Sequence, residues 1–542
     1  MSANYEQRTS TEHPSPDLDV VIVGAGFAGV NMLRKARENG LSSRIFEAGS
    51  GPGGTWYWNR YPGARCDVES MQYSYQFSED LQQEWEWKER YAAQPEILRY
   101  IEHVCERFDL NKDIQFNTRV QTARFNDGTG LWEINTRNGE IVTARYCVMA
   151  TGCLSSANKP NIKGIDNFQG ATYHTGEWPH EGVDFSGKRV AVIGTGSSAI
   201  QAIPIIAEQA ADLTVFQRTA TFSIPAQNGP LDPVKTAEMK ANYADYRKFC
   251  NNQLLAYDIA ANDKLGSAVN DEEFMAEMER RWQVGGLYFY GAFADLLIDQ
   301  KTNDRVAEFV CGKIAEIVQD PKTAKALSPK IVFGCKRICA DTGYYQTFNR
   351  DNVALVDISD TGGIDEITAS GLNANGKQYE FDAIVFATGF DAMTGSLNKI
   401  DIRGRDDQAL KEKWSAGPRT YLGLTSVGFP NLFMISGPGS PSVLTCMVTS
   451  IEQHVEFIAE TIEYLRKNGI AHIEAIESAE DNWVDHVNEV AGATLFNNCS
   501  SWYLGANVPG KTRVFMPYLG FPAYVEKCKE VVANDYEGFR LN

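Results

Sequence analysis

Two glycine-rich turns of the same design occur in this chain, and each constrains a large part of the fold around it. Leu18 to Val23, "LDVVIV", is a short β-branched run with the character of a buried parallel strand. "GAGFAG" follows, and "VNMLRKARENG" then reads as an amphipathic helix ending at Gly40. "SRIFEAG" is a second strand, with Glu47 at its end. Gly24, Gly26 and Gly29, with Phe27 inside the turn, therefore fall between strand and helix. Such a turn lets a pyrophosphate approach the backbone and rest on the helix N-terminus, and an acid about twenty residues on accepts hydrogen bonds from ribose hydroxyls. A glycine-rich turn that binds nothing is the plain alternative, and the two flanking elements and the acid weigh against it.

The second turn lies in "GKRVAVIGTGSSAIQAIPIIAEQA". Val190 to Ile193 reads as a strand. Gly194, Thr195, Gly196 and Ser197 form the turn, and a helix starts at Ser198 with Gln201 on its first turn. The third glycine is replaced by Ala199, which is still small enough for close packing. The next strand, "LTVFQRT", ends in Arg218 and Thr219 rather than an acid. An acid there repels a ribose 2′-phosphate, whereas an arginine beside a hydroxyl binds one, so the second turn points to NADPH over NADH. A solvated surface arginine is the alternative.

The segment after the first ribose strand separates the two sites further. "GPGGTWYWNRYPGARCDVES", Gly51 to Ser70, sets Gly53, Gly54 and Thr55 beside Trp56, Tyr57 and Trp58. Small residues next to bulky aromatics suit a surface laid against an isoalloxazine ring, although each aromatic alone reads equally well as core. The expected cofactors are FAD at the first turn and NADPH at the second.

Bulk properties bound the rest. A chain of 542 residues implies two to four domains. The formal charge of −19 argues against nucleic-acid or anionic-membrane partners. No apolar run is long enough to span a bilayer. The polar start, "MSANYEQRTSTEHPSPDLD", has no apolar signal core and reads as a loose tail. Eleven scattered cysteines without zinc-type spacing point to no metal and to a reducing cytoplasm with free thiols. The close pair Cys335 and Cys339 in "CKRIC" reads as structural. A monomer or weak oligomer is expected.

"YCVMATG" (Tyr146 to Gly152) and "AIVFATGF" (Ala383 to Phe390) are apolar strands that both end in Ala-Thr-Gly. They resemble the crossings between nested domains in flavoproteins that bind two dinucleotides. "FQGATYHTGEWP" fits the pattern FxGxxxHxxxW followed by Pro or Asp, at Phe168, Gly170, His174, Trp178 and Pro179. With "GGTWYWNRYPGARCDVES", "ATGFDAMTGSL", "GPRTYLGL", "GPGSPS" and "SWYLGANVPGK", the chain resembles the type I Baeyer–Villiger monooxygenases from Asp19 to Phe539. "RYPGARCDVES" looks more like phenylacetone and steroid monooxygenases than cyclohexanone monooxygenase.

The resemblance implies an α/β fold of two Rossmann-like domains, the NADP domain inserted in the FAD domain, plus a helical insert. Residues 1–17 are then the tail, 18–150 and 388–542 the FAD domain, 151–230 and 328–387 the NADP domain, and 231–327 the insert. It implies NADPH- and dioxygen-dependent conversion of a ketone to an ester or lactone through a flavin peroxide. Arg337 and Asp67 match the catalytic pair: the arginine holds negative charge and the acid positions it. Gly54, Thr55, Trp56, Trp58, Asp67 and Tyr73 join the first turn at FAD. Arg65, Cys66, Lys336, Arg337 and Trp502 join the second at NADP. His174 and Trp178 couple the domains, and Leu444 and Cys446 are expected in the ketone pocket. Asn251 to Lys264, "NNQLLAYDIAANDK", departs from the family pattern, so the resemblance implies least about the substrate. The competing functions are a flavin monooxygenase of amines or sulfides, a disulfide reductase, and a non-catalytic redox sensor.

Overall fold

The computed structural model describes residues 15–360, 362–506, 510 and 517–542. Leu18–Val23 lies inside one sheet, between Ser43–Phe46 and Ile141–Met149, with all three parallel. Val20, Val21 and Ile22 are fully buried, as a strand covered on both faces requires. Antiparallel Leu131–Thr136 and Val120–Asn126 extend the sheet past Ile141–Met149. Two strands from far along the chain join the same sheet. Leu432–Met434 pairs with Ile141–Met149, and Asp401–Arg403 pairs with Val120–Asn126.

A second, five-stranded parallel sheet runs in the order Val353–Asp357, Asp212–Gln217, Arg189–Ile193, Ala383–Phe386, Ala171–His174. Its glycine-rich turn opens helix Ser197–Gln209, whose Ala199 is fully buried. The chain passes between the sheets at 150–158 and again at 387–391. These crossings run side by side: Asn158 N–H donates to the Gly389 carbonyl at 2.9 Å and Asp391 N–H to the Ser156 carbonyl at 2.7 Å.

Between the strands of the second sheet lie Pro233–Ala241, Tyr243–Asn251, Asp271–Val284, Gln300–Ile317 and Pro321–Leu327. Four of these helices start on a side-chain cap, from Asp232, Asn270, Asp299 and Asp320. The divergent segment that follows Asn251 is irregular, and Ala256 and Ala260 have positive φ. Arg281, fully buried, holds it: the guanidinium donates to the carbonyls of Ile259, Ala260, Tyr288 and Gly291 and to Glu277.

Helix Met447–Lys467 packs on Phe27–Glu38 and buries two ionisable groups of opposite tendency. Burial brings His454 down to about 3. Burial raises Glu452 to about 7, against the N–H bonds it accepts from Gln76 and Phe77. The folded pKa of His454 lies below its unfolded value, so its contribution is full above about pH 6.5 and is lost as pH falls toward 3. The folded pKa of Glu452 lies above its unfolded value, so its contribution is full below about pH 4.5 and is lost as pH rises through 7. From pH 7 to 5 each amounts to about 2 kcal/mol, with opposite sign, and they cancel. Glu452→Gln keeps the oxygen that accepts both N–H groups and stops the titration. It is expected to lose about 2 kcal/mol more than wild type between pH 7 and 5 in urea unfolding. Equal losses in both proteins refute the assignment.

Candidate active site between the two sheets

A single cavity of about 2060 Å³ is lined by both glycine-rich turns. That is larger than a site for one small molecule, roughly 300–1,000 Å³. Both turns are built alike. Gly24 has φ +105°, and a Cβ there lies 2.7 Å from the Ala150 carbonyl oxygen. Gly194 has φ +115°, and its Cβ lies 2.4 Å from the Ala387 carbonyl oxygen. Each Ala-Thr-Gly crossing thus packs its alanine carbonyl against the first glycine of a turn. A Cβ on Gly29 meets the Gly24 carbonyl oxygen at 1.8 Å, so helix and turn touch through backbone alone. A Cβ built on Gly196 meets nothing within 4 Å, which leaves the helix N-terminus open for a pyrophosphate.

At the first turn, the Glu47 carboxylate faces the cavity just past its strand and accepts N–H bonds from Ala25 and Gly49, at 2.7 and 2.6 Å. Burial, only partly offset by these bonds, raises its pKa. Gly26 and Gly54 meet backbone to backbone, a Cβ on Gly54 lying 2.8 Å from the Gly26 Cα. Thr55 to Trp58 is a short helix. Thr55, Trp56 and Trp58 line the cavity, and Trp56 donates its indole N–H to the Tyr73 hydroxyl at 3.2 Å. Phe27 packs edge-on against Tyr73 with ring centroids 5.4 Å apart, completing an aromatic wall. These residues fit a flat aromatic ring with an adjoining pyrophosphate and ribose.

At the second turn, Ser197 and Ser198 line the cavity, and the Thr195 hydroxyl donates to the Thr219 carbonyl at 2.9 Å, closing the turn onto the end of the next strand. Arg218 and Lys336 face the same space. Burial first and the Arg218 charge second hold Lys336 below the ordinary lysine range. Two cations that raise each other's energy are a site prepared for an anion, and a ribose phosphate has the matching charge. Gln201 ties this helix to the first half of the molecule. Its side chain accepts from the Tyr61 hydroxyl at 2.8 Å and donates to the Arg65 carbonyl at 3.1 Å. Arg65 lines the cavity and is paired with Glu89 at 2.8 Å. The neighbouring Cys66 thiol is pushed well up by burial first, with the Asp67 charge adding to it.

Where the two halves meet, Arg337 and Asp67 form a two-pronged pair. Nε and Nη2 donate to the two carboxylate oxygens at 2.5 and 3.0 Å, and Nη1 donates to the Val443 carbonyl at 2.7 Å. Burial acts to lower the arginine pKa, but the Asp67 charge and hydrogen bonds together outweigh it, so Arg337 titrates well above its ordinary range. Three donors are fixed in place, with the planar guanidinium aimed by its neighbours.

His174 ends strand Ala171–His174, opposite Phe386, at the second crossing. Its Nδ1 accepts from Gly176 N–H at 3.0 Å and its Nε2 lies 3.3 Å from the Thr388 hydroxyl. Burial is the largest influence on it and keeps it neutral. Trp178 is buried against Tyr173 and Phe185. Trp502 lines the cavity and packs on Tyr503 at 4.3 Å between centroids. Positions 507–509 and 511 of "SWYLGANVPGK" lie outside the described residues, as do residues 1–14 of the expected tail.

Two expectations are corrected. Cys446 does not line this cavity: it is fully buried, its N–H donates to the Leu255 carbonyl and its thiol to that of Gln72. Leu444, two residues earlier, does lie beside Arg337. The cysteines are not all free: Cys335 is disulfide-bonded to Cys499, and the other nine are unpaired. The bond joins the residue before Lys336 to the segment that leads to Trp502. A separation of 164 residues carries no sequence signal for it. Arg281 also escaped sequence reading, since two of its four carbonyl partners, Ile259 and Ala260, come from an irregular segment 22 and 21 residues away.

Residues 21–253 match the family described as pyridine nucleotide-disulphide oxidoreductase. A Baeyer-Villiger monooxygenase from Pseudooceanicola batsensis is 43% identical over 517 residues, covering 95% of this chain and 94% of the relative. A phenazine N-monooxygenase from Lysobacter antibioticus is 40% identical, covering 97% of each chain. The structure of an oxidised steroid monooxygenase bound to NADP superposes with a TM-score of 0.92 at 50% identity, covering 97% of this chain and 99% of that one. With both glycine-rich turns, the Arg337–Asp67 pair and nearly full-length similarity at these identities, the chain belongs to the Baeyer–Villiger monooxygenases.

Proposed function

We propose that this chain oxidises a ketone to an ester or lactone with NADPH and dioxygen. In this reading 18–150 and 388–542 hold FAD, 151–230 and 328–387 hold NADP, and 231–327 helps wall the ketone site. The carrying observation is the Arg337–Asp67 pair, set where one continuous cavity reaches both turns. Gly24, Gly26, Glu47 and Gly54 would hold FAD, which would supply hydride acceptance from NADPH and the activation of dioxygen for insertion beside the ketone carbonyl. The remaining contributions come from the chain. Arg218, Lys336 and Thr219 select the phosphorylated nucleotide. The aromatic wall of Phe27, Trp56 and Tyr73 orients the flat ring. Arg337 supplies a permanent positive charge in a partly dry site, Asp67 aims it, and Trp502 shields the cavity from water. No described helix is long and apolar enough to cross a membrane, and nine unpaired thiols against one disulfide favour a cytoplasmic setting.

The second reading is oxygenation of an amine or sulfide, which the name of the Lysobacter relative keeps in view. Trp178-Pro179 favours the ketone reading. A panel of phenylacetone, cyclohexanone, a macrocyclic ketone, a steroid ketone, an aromatic amine and a sulfide tests both, read by product mass and NADPH consumption. Products only from the amine or sulfide overturn the proposal.

The contact of His174 with the second crossing makes it a positioning residue. His174→Ala is expected to keep bound FAD and to slow turnover. A neutral hydrogen bond contributes about 0.5–1.5 kcal/mol, roughly two- to tenfold in rate. The ratio of hydrogen peroxide to ester should rise as domain placement loosens. Loss of FAD during purification would instead place His174 in the flavin site.

A further inference from the structure

Beside Arg337 lies a second, partly open cavity of about 10 Å³, room for one oxygen-sized group. Apolar side chains line most of it, among them Leu255, Leu444 and Phe496. Three tyrosines break that apolar surface: Tyr257, Tyr290 and Tyr503. The Tyr290 hydroxyl accepts the Ile338 N–H at 3.2 Å. The other two hydroxyls have no hydrogen-bond partner, although Tyr257 is 3% exposed and Tyr503 is 0% exposed. A buried hydroxyl without a partner is costly, and two of the tyrosines that line this one water-sized space each carry one. Burial drives both phenols above their ordinary range, so both remain protonated and able to donate.

The two rings are held firmly. Tyr257 belongs to the divergent segment, fixed by the Arg281 bonds to Ile259 and Ala260 and by the Cys446 N–H on the Leu255 carbonyl. Tyr503 packs on Trp502, which lines the main cavity. Arg337 lines both spaces, so a molecule placed for oxygen transfer beside the guanidinium has this slot next to it. Because Asp67 already balances Arg337, the slot offers two neutral donors rather than a net positive charge. It is built for a neutral acceptor, not for a carboxylate.

We infer that the ketone this enzyme prefers carries a second, neutral oxygen (hydroxyl, ether or carbonyl) held by the Tyr257 and Tyr503 hydroxyls beside Arg337. The inference rests on the ketone-oxidation reading and narrows its substrate class. A site built to donate to such an oxygen discriminates against the analogue that lacks it, because the buried donors are then left unpaired.

The test uses two ketone pairs of different reach: tetrahydropyran-4-one against cyclohexanone, and 4-(4-hydroxyphenyl)-2-butanone against 4-phenyl-2-butanone. The kcat/KM ratio within each pair is measured for wild type and for the Tyr257→Phe, Tyr503→Phe double variant, so that intrinsic ketone reactivity cancels. At least one ratio is expected to fall by about tenfold in the variant, chiefly through KM. The variant removes only unpartnered hydroxyls, so its Tm should match or exceed that of wild type. A Tm drop with unchanged ratios shows the hydroxyls to be structural and overturns the inference. Unchanged ratios in both pairs at unchanged Tm mean that the slot holds only a water, and they overturn it while the ketone reading stands. If no ketone of either pair or of the wider panel is oxidised by wild type, the ketone reading itself falls and the inference falls with it.

Discussion

Arg337→Ala is expected to retain FAD, to remain reducible by NADPH, and to form almost no ester. The pair geometry motivates this: Arg337 is anchored by three hydrogen bonds, two to Asp67 and one to the Val443 carbonyl, and it faces the cavity between the two turns. In the proposed reaction, negative charge would build up beside it as oxygen is transferred to the ketone. A guanidinium already in place needs no reorganisation at that moment, whereas water would have to turn its dipoles. Removing one such preorganised group costs about 2.7–4 kcal/mol, a hundred- to a thousandfold in rate. NADPH should then be consumed in air with hydrogen peroxide as the product. Arg337→Lys is expected to recover little, since a point charge cannot reproduce the fork that the two Asp67 oxygens accept. The measurement is stopped-flow reduction beside product mass on the same preparations. Ester yield near that of wild type removes Arg337 from the chemistry, and loss of FAD shows its role to be structural.

Sequence was most informative where the chemistry is local. A pyrophosphate turn needs strand, glycines and helix in immediate succession, so Gly24, Gly29 and Gly194 could be read directly, and each has the crowded backbone contact that only glycine allows. Arg218 and Thr219 follow from their place just past the next strand. The Ala-Thr-Gly crossings were legible as repeated words. That their alanine carbonyls fill the space where a Cβ on Gly24 or Gly194 would sit was not, because strand pairing brings together residues more than a hundred positions apart. The family pattern placed Cys446 with Leu444 in the ketone pocket, and it does not say which way a side chain turns: the Cys446 thiol donates to the Gln72 carbonyl. The family pattern carried Arg337 and Asp67, which lie 270 residues apart and which periodicity alone does not connect. Tyr257 lies where the chain departs from that pattern, in the segment that Arg281 clamps from outside it, and only packing shows what they face.

Arg218→Ala is expected to raise the KM for NADPH by about ten- to a hundredfold while leaving NADH kinetics nearly unchanged. Arg218 and Lys336 share one part of the cavity, and the electrostatic influence of Arg218 on Lys336 is repulsive. Placing a doubly charged ribose phosphate between them relieves that repulsion and adds charge-assisted hydrogen bonds. Each such bond contributes roughly 1.5–3 kcal/mol, which sets the size of the expected change. NADH lacks the phosphate, so it neither gains from Arg218 nor loses when it is removed. With NADH bound, the two cations stay unbalanced, and part of the selectivity of wild type is that remaining repulsion. Arg218→Ala removes it, so the unpaired Lys336 should titrate closer to its ordinary range. Lys336→Ala alone should then show a smaller loss, because Arg218, with its planar fork, can still grip two phosphate oxygens. The sensitivity to salt should follow the same order, since screening weakens the more exposed contact first. Steady-state kinetics with both nucleotides at two ionic strengths decide the matter: equal losses with NADPH and NADH mean that the substitution damages the fold and that phosphate recognition lies elsewhere.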